Sequence, residues 1–319
     1  MKKVQKKYCN FDFSRNYNGN KFTLGVLVME TRKYFVIGGR GYLGTKLFAS
    51  IPKGIIGLRT ASLPSEGFIR LRLEVQQDVA DLPINEGDIV FLTAAISAPD
   101  VCVQEYDRAW AVNVTATIQF IENMIARGCR VLFFSSDTVY GEYVNAFEEQ
   151  ASCNPAGEYA AMKYEVEKQF AGNPLFKSIR LSYVYSCEDK FSSYLAGCAE
   201  RNEEADLFHP FFRAIVHRDD VVTGALGLAE KWYDIPEGVI NFGGPQVLSR
   251  IDFAECLRKT YLHNLRFKVT EPGADFFRNR PRIISMTSPV FARLLGRQPK
   301  ALCDAARLEL PFFNLKRML

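Results

Sequence analysis

The sequence predicts an α/β protein with a doubly wound parallel sheet and a smaller C-terminal α/β domain. Short β-branched runs alternate along the chain with stretches of helical periodicity, which is the order of elements in such sheets. The runs are apolar along both faces, as strands are when helices cover both sides of a sheet. The composition agrees with this class, since 48% hydrophobic and 24% charged residues are typical of a globular chain of 319 residues.

Six runs are predicted to be strands of the sheet. In chain order they are residues 34–37, 54–58, 88–93, 130–135, 177–185 and 239–242. After Tyr185 the alternation becomes less regular, and two segments rich in aromatic residues and arginine follow. We therefore predict three parts: an N-terminal extension over 1–31, a sheet domain over 32–185 and 213–244, and a smaller substrate-binding domain over 186–212 and 245–319.

Charge, apolar runs and cysteine spacing exclude several classes of protein. The net charge of +4 is too small to indicate a nucleic-acid partner. No apolar run approaches the roughly 20 residues of a membrane-spanning helix, the best being residues 89–96. The three histidines have no metal-binding spacing, and the eight cysteines are scattered singly. We therefore expect a soluble, cytoplasmic protein with no metal site, no disulfide framework and mostly buried free thiols.

A glycine-rich loop follows the first predicted strand. Its GxxGxxG pattern begins at Gly38 and leads into a helix whose Leu43 and Leu47 share one face. Glycines let the backbone turn tightly and approach a pyrophosphate, and the N-terminus of the following helix favours its negative charge. The loop therefore predicts a Rossmann-type dinucleotide-binding domain, with contacts from Gly38, Arg40, Gly41, Tyr42, Leu43 and Gly44.

The segment after this loop favours NADP(H) over NAD(H). An NAD site usually carries a carboxylate about 20 residues beyond the start of the motif, but residues 31–65 contain no Asp or Glu. Arg40 and Arg59 would instead bind a 2′-phosphate. Solvated positions for both arginines, and hence NAD(H), stay open as the alternative. Further along, Asp78 is placed to accept a hydrogen bond from adenine, and a strand that the cofactor must pass ends at Thr93, Ala94 and Ala95.

A second motif places a tyrosine and a lysine one helical turn apart. Tyr159 and Lys163 are four residues apart, so they share a helical face. A phenol of ordinary pKa is a poor acid or base at neutral pH, and a nearby lysine cation lowers that pKa. Ser136, at the end of a predicted strand, offers a hydroxyl to polarise a carbonyl. Asp137 would raise the pKa of the tyrosine and keep it protonated, although a turn cap is its structural alternative.

These motifs resemble the extended short-chain dehydrogenase/reductases that modify nucleotide sugars, and most of all the dTDP-4-dehydrorhamnose reductase branch. The resemblance covers residues 33–300 approximately, and rests on residues 38–44, 78, 93–95, 113–115, 134–141, 159–163, 179–186, 241–245, 248–249, 280–281 and 294–296. It implies a catalytic triad of Ser136, Tyr159 and Lys163, with Lys163 also holding the nicotinamide ribose. It further implies that Asn113, Ser182 and Tyr183 are cofactor-binding residues. Asn113 would also support the active-site helix, with a structural cap as the alternative.

The residues around Asp137 discriminate among the reactions of that family. Dehydratases carry adjacent Asp and Glu because eliminating water requires an extra acid and base, whereas Thr138 follows Asp137 here. The GDP-fucose synthase type places a cysteine at position 137. Serine followed by Asp resembles the 4-ketoreductases, so we predict an NADPH-dependent reductase of a nucleotide-activated 4-keto (deoxy)sugar. Two alternatives stay open: a nucleotide-sugar 4-epimerase, and a regulatory subunit that binds NADP(H) without turnover.

A nucleotide-sugar substrate brings a diphosphate, so cations are expected at its site. Arg213, Arg278, Arg280 and Arg282 are candidates, and the resemblance favours Arg280. Several of them are expected to be ordinary surface residues, so Arg213 and Arg280 are retained as substrate-binding residues. Helices over residues 101–124 and 159–170 resemble the pair through which relatives form dimers, which predicts a homodimer.

Overall fold

The structure, a computed structural model, describes residues 32–143 and 145–318, with side chains as far as residue 314. The predicted N-terminal extension over 1–31 lies outside the described residues. Fifteen strands and twelve α-helices are found within the described part of the chain.

The strands are β1 (Lys33–Ile37), β2 (Ile56–Ala61), β3 (Ile69–Arg70), β4 (Ile89–Leu92), β5 (Arg130–Ser136), β6 (Ala146–Phe147), β7 (Phe176–Leu181), β8 (Val184–Tyr185), β9 (Glu204–Phe208), β10 (Phe212–Ala214), β11 (Val216–His217), β12 (Val239–Phe242), β13 (Val247–Ser249), β14 (Arg266–Thr270) and β15 (Ile283–Met286). The helices are α1 (Tyr42–Ala49), α2 (Gln76–Ala80), α3 (Pro99–Gln104), α4 (Tyr106–Trp110), α5 (Thr117–Ala126), α6 (Glu158–Gln169), α7 (Lys190–Arg201), α8 (Arg218–Glu230), α9 (Arg250–Thr260), α10 (Ala274–Arg278), α11 (Pro289–Leu295) and α12 (Leu302–Met318).

Seven strands form one parallel sheet in the order β12-β7-β5-β4-β1-β2-β3. Every neighbouring pair is parallel; for example, Val36 of β1 lies opposite Phe91 of β4. The chain moves outward in one direction from β1 to β3 and in the other from β4 to β12. The carboxyl ends of β1 and β4 therefore flank the switch point at which doubly wound sheets bind ligands.

The predicted fold class is confirmed, because all six predicted runs contribute strands to this sheet. Strand β1 shows why the predicted runs are apolar along both faces. Tyr34 and Val36 join one buried cluster with residues of α8 and α11, while Phe35 and Ile37 join another with α2 and α5. A sheet with helices on both faces has no solvent-facing side, so its strands carry no polar alternation.

Smaller sheets follow the main one. β13, β10, β15 and β6 form a four-stranded sheet, and β11 with β8 and β14 with β9 form two-stranded sheets. A third apolar cluster joins α7, α9 and α12. The residues from Arg32 onward form one compact unit, and their division into two domains stays a prediction.

The cysteines depart in one respect from the expected free thiols. Cys256 of α9 and Cys303 of α12 form a disulfide with a Cα–Cα distance of 5.6 Å, while Cys102, Cys129 and Cys187 are free and buried. Packing of the two helices creates this pairing between residues 47 positions apart, a proximity that singly scattered cysteines do not reveal. Among the described residues, no helix is long and apolar enough to cross a bilayer, and no group of His, Cys, Asp and Glu is arranged to hold a metal ion.

Candidate active site

The glycine loop joins β1 to α1 through close backbone contacts. Gly38 has a φ of +87°, and a Cβ there would lie 2.9 Å from the backbone nitrogen of Ala94. A Cβ on Gly44 would lie 2.3 Å from the carbonyl oxygen of Gly38. The Gly41 N–H donates to that same oxygen at 2.9 Å, and α1 begins at the next residue. Residues with side chains would push the helix away from the loop, so the glycines keep its N-terminus close to the strand end.

One large cavity, of about 610 Å³, is lined by residues of both predicted motifs. Eleven of the predicted site residues line it: Gly38, Arg40, Gly41, Tyr42, Leu43, Gly44, Thr93, Ala94, Ala95, Tyr159 and Lys163. Its wall also contains thirteen residues that are not among the predicted site residues: Ile37, Thr60, Ala61, Ser62, Leu71, Arg72, Leu73, Glu74, Ile96, Ser97, Arg108, Val112 and Phe134. The glycine loop and the tyrosine–lysine motif therefore face the same space at the switch point of the sheet.

The helix α6 carries Tyr159 and Lys163 into this cavity. Lys163 is only 3% exposed, and its Nζ donates to the carbonyl oxygen of Phe134 at 2.8 Å. The same nitrogen lies 4.4 Å from the ring centroid of Phe133 and 5.8 Å from that of Tyr159. The hydrogen bond to β5 fixes the lysine beside the tyrosine, as the four-residue spacing predicts.

Burial changes the protonation of both side chains. Burial raises the pKa of Tyr159, and the nearby Cys102 and Asp137 raise it further. Burial lowers the pKa of Lys163 to about 8, against the opposing influence of Glu167 and Cys102. The expected lowering of the Tyr159 pKa by Lys163 is not found, because burial dominates and Lys163 is not among the groups that shift this pKa. Tyr159 is a protonated phenol at neutral pH, which agrees with the expected influence of Asp137.

Ser136 is the last residue of β5 and Asp137 follows it, and neither of these predicted catalytic residues lines the cavity. The Ser136 hydroxyl is 2.8 Å from the Thr138 hydroxyl and accepts a hydrogen bond from the Thr138 N–H. Asp137 is buried, accepts from the Ser182 hydroxyl at 2.9 Å, and lies 3.8 Å from Nε of Arg213. Burial raises the pKa of Asp137, although Arg213 and Ser182 oppose the shift. Asp137 thus connects β5 to β10 and to the segment after β7.

Asn113 supports the site indirectly. It lies in a π-helical turn over Ala111–Ala116, where its Oδ1 accepts from the N–H of Ile96 and its Nδ2 donates to the carbonyl of Ile96, both at 2.9 Å. Asn113 is buried and does not line the cavity. Its two hydrogen bonds fix the loop that continues from Thr93 to Ile96, which does line it.

Arg59 does not line the cavity, although its side chain packs against the glycine loop, where a Cβ on Gly39 would lie 2.7 Å from the Cβ of Arg59. Its guanidinium lies between the rings of Phe48 and Phe68, 4.5 and 4.0 Å from their centroids. Its Nε donates to the carbonyl of Gly67 at 3.2 Å. Stacking between two aromatic rings therefore occupies both faces of the Arg59 guanidinium.

Asp78 also lies outside the cavity lining, and it holds an arginine that lies inside it. The Asp78 carboxylate accepts from the backbone N–H of Arg72 at 3.1 Å and from its Nε at 2.9 Å. Sequence reasoning missed Arg72, which lies just after the two-residue strand β3. The signal was present, since Ile69, Leu71 and Leu73 alternate with arginines in the pattern of a half-buried strand.

The remaining predicted cofactor residues make contacts within the protein. The Ser182 hydroxyl donates to Asp137, and the Tyr183 hydroxyl donates to Asp189 at 2.5 Å. Neither side chain lines the large cavity. Tyr183 faces a small cavity of about 10 Å³, which is lined by Tyr183, Phe211, Arg213, Ile215, Leu248, Ser249 and Arg250.

The two predicted substrate arginines are likewise engaged. Arg213 donates to the carbonyl oxygens of Phe212 at 2.6 Å and Pro281 at 2.8 Å, and burial lowers its pKa to about 10. Arg280 donates to Asp100 at 2.6 Å. Neither arginine lines the large cavity. Both therefore connect segments that are distant in sequence.

The sequence model of the RmlD substrate binding domain family matches residues 32–280. The chain belongs to this family. It is 26% identical over 174 residues to methionine adenosyltransferase 2 subunit beta of Bos taurus, covering 52% of each chain. It is 25% identical over 171 residues to ADP-L-glycero-D-manno-heptose-6-epimerase of Brachyspira hyodysenteriae, covering 47% of this chain and 52% of that one. The chain thus spans about half the length of these curated relatives.

Solved structures of similar fold include two kinds of nucleotide-sugar enzyme. A dTDP-4-dehydrorhamnose reductase of Bacillus anthracis, in complex with NADP, has a TM-score of 0.75 at 17% identity, covering 89% of this chain and 99% of that one. A UDP-glucuronic acid 4-epimerase mutant of Bacillus cereus, in complex with NAD and a UDP-sugar analogue, has a TM-score of 0.76 at 19% identity, covering 90% of this chain and 100% of that one. At these identities the likeness concerns the fold.

Proposed function

We propose that the protein is an NADPH-dependent reductase of a nucleotide-activated 4-keto (deoxy)sugar. The observation that carries this proposal is the single cavity lined by the glycine loop and by Tyr159 with Lys163. The pyrophosphate of NADP(H) would lie against the loop, where a Cβ on Gly38 or Gly44 would intrude. Its nicotinamide end would lie near Lys163, and NADPH would supply the hydride when bound.

The protein supplies the proton for this reduction. Burial keeps Tyr159 protonated, so its phenol can donate to the oxygen of a ketone placed beside it. Lys163 is largely a cation at neutral pH and favours the phenolate that remains after transfer. Asp137 reinforces the protonated state of Tyr159 before the reaction. Tyr159 therefore holds one proton and donates it to the carbonyl oxygen, and Lys163 stabilises the negative charge left on the phenolate.

The charges of the cavity support NADP(H) over NAD(H). Its lining carries three arginines and Lys163 against a single acidic residue, Glu74. β2 ends in Thr60 and Ala61, followed by Ser62, so no carboxylate is available there for the ribose hydroxyls of NAD. Among the solved structures of similar fold, a dTDP-4-dehydrorhamnose reductase is in complex with NADP and a UDP-glucuronic acid 4-epimerase is in complex with NAD. This contrast supports reduction over epimerisation. We further propose that the protein is a cytoplasmic homodimer.

A regulatory subunit is the second candidate function, because the predicted substrate arginine Arg213 is bound within the protein. The guanidinium of Arg213 donates hydrogen bonds to carbonyl oxygens of the protein, and the cavity beside it has a volume of only about 10 Å³. One curated relative, methionine adenosyltransferase 2 subunit beta, is named as a subunit of a larger enzyme, which agrees with this candidate. Binding of NADP(H) without turnover would use the large cavity alone.

Loss of NADPH absorbance with a panel of nucleotide 4-keto sugars separates these functions. Stoichiometric oxidation by one of them supports the reductase. Interconversion of nucleotide sugars at C4 without net NADPH loss would identify an epimerase. Tight NADPH binding with no reaction of any sugar would identify the regulatory subunit and overturn the proposed activity.

A further inference from the structure

The wall of the large cavity contains an arginine whose direction is fixed by a carboxylate. Asp78 accepts from Nε of Arg72 at 2.9 Å and from its Nη2 at 3.4 Å, so the two groups meet side by side. The Asp78 side chain is 14% exposed, against 37% for Arg72. No hydrogen bond to Nη1 of Arg72 is found among the described residues. That end of the guanidinium keeps free N–H groups for an anion in the cavity.

The surroundings of Arg72 combine apolar walls with a hydroxyl donor. Leu71 and Leu73, its neighbours in sequence, are 5% and 9% exposed and give the cavity apolar walls. Ser62, just after β2, adds a hydroxyl to the lining at this end of the cavity. A purine ring is accommodated by apolar walls, whereas a phosphate on its ribose requires cations and hydroxyl donors.

Arg40 provides a positive charge near the cavity that no carboxylate among the described residues neutralises, whereas Arg72 is paired with Asp78. No ion pair to Arg40 is found within the described part of the chain, and its guanidinium lies 6.0 Å from the ring centroid of Phe68. Asp78 neutralises much of the charge of Arg72, so Arg72 acts mainly as an oriented donor. Arg40 then attracts a dianion, and Arg72 determines where it is bound.

We propose that Arg72, oriented by Asp78, binds the 2′-phosphate of NADP(H) together with Arg40. This assignment rests on the proposed function, because it presumes that the cavity holds the dinucleotide. It replaces Arg59, which was expected from the sequence but is stacked between two phenylalanine rings. Arg72 would therefore determine the preference for NADP(H) over NAD(H).

Calorimetric titration of 2′,5′-ADP and of 5′-AMP tests this role, since the two probes differ at the 2′-phosphate. We expect Arg72→Gln to weaken binding of 2′,5′-ADP by about ten- to a hundredfold and to change binding of 5′-AMP by less than about twofold. Arg70→Gln is the matched control: it removes the same charge from the exposed end of β3, outside the cavity, and is expected to leave both affinities unchanged.

Arg72→Lys provides a second variant in case the glutamine variant fails to fold. Lysine keeps the charge but cannot form the side-by-side pair with Asp78, so we again expect a selective loss for 2′,5′-ADP. Equal loss of both probes, or a selective loss in Arg59→Gln but not in Arg72→Gln, would overturn the assignment of Arg72. Failure of the unaltered protein to bind either probe, or NADPH itself, would instead overturn the proposed dinucleotide site.

Discussion

Lys163 carries its charge in a position that excludes most water, being 3% exposed. Burial lowers its pKa to about 8, so the cation is lost as the pH rises through 8 rather than through the ordinary lysine value of 10.5. Under the proposed function, we expect NADPH affinity to be constant below about pH 7 and to decrease above about pH 8. Fluorescence titration of the protein with NADPH at pH values on both sides of 8 measures this affinity, and Lys163→Gln serves as the comparison. A decrease of the same size in Lys163→Gln would assign the pH dependence to another group.

Tyr159 is the second residue whose chemistry follows from burial. The Tyr159→Phe substitution removes the hydroxyl and keeps the ring. We expect kcat for reduction to decrease by about 10²- to 10⁴-fold, because the ketone oxygen loses its proton donor. The dissociation constant of NADPH should stay close to that of the unaltered protein, which shows that the site is intact. Turnover within about tenfold of normal would mean that another group donates the proton.

The site residues predictable from sequence are those with local causes. Tyr159 and Lys163 share a face because four residues make about one turn, and Gly38 reaches the cavity because it follows β1 directly. Arg59 and Arg213 could not be placed in this way. Their partners, the ring of Phe68 and carbonyls such as that of Pro281, come from segments whose proximity only the folded chain creates.

At the scale of elements, two helical glycines provide a contrast in packing. A Cβ on Gly44 of α1 would lie 2.3 Å from the backbone oxygen of Gly38, whereas a Cβ on Gly227 of α8 meets nothing closer than 3.7 Å, at the carbonyl oxygen of Leu294. We expect Gly44→Ala to lower the free energy of unfolding by about 1–3 kcal/mol and to weaken NADPH binding. Gly227→Ala should raise the free energy of unfolding by about 0.5–1 kcal/mol without affecting binding.

Urea denaturation and NADPH titration of the two glycine variants measure both quantities. The comparison is matched, since each substitution adds one methyl group within a helix. If Gly44→Ala binds NADPH as tightly as the unaltered protein, the close approach of α1 to the loop is unnecessary for binding. The proposed place of the pyrophosphate would then be wrong.

Elements were predictable from sequence where the pattern was long enough. The six strands predicted from apolar runs are all present, because burial between two helical layers imposes a pattern on every residue of a run. β3 has only two residues and shows no such run. The π-helical turn over Ala111–Ala116 was also missed, since nothing in its composition distinguishes it from an ordinary helix.

At the scale of the whole molecule, the C-terminal helix α12 is held by a buried charged group. Glu309 of α12 is 4% exposed, and its Oε1 lies 2.8 Å from Nε2 of His217, just before α8. Its Oε2 accepts from the N–H of Cys187 at 3.2 Å. These contacts join residues about 90 and 120 positions apart, so no local pattern predicts them.

Glu309 should make the free energy of unfolding of the whole protein depend on pH in the acid range. Burial raises its pKa, but hydrogen bonds from His217 and Cys187 together outweigh burial and lower it to about 2. A lowered folded-state pKa stabilises the protein above the unfolded value near 4.5, and this stabilisation is lost as the pH decreases toward 2. We expect Glu309→Gln to lower the free energy of unfolding at pH 7 by about 3 kcal/mol. In urea denaturation the difference from the unaltered protein should narrow steadily from about pH 5 to about pH 3. A difference that stays constant over this interval would show that Glu309 acts through packing and not through its charge.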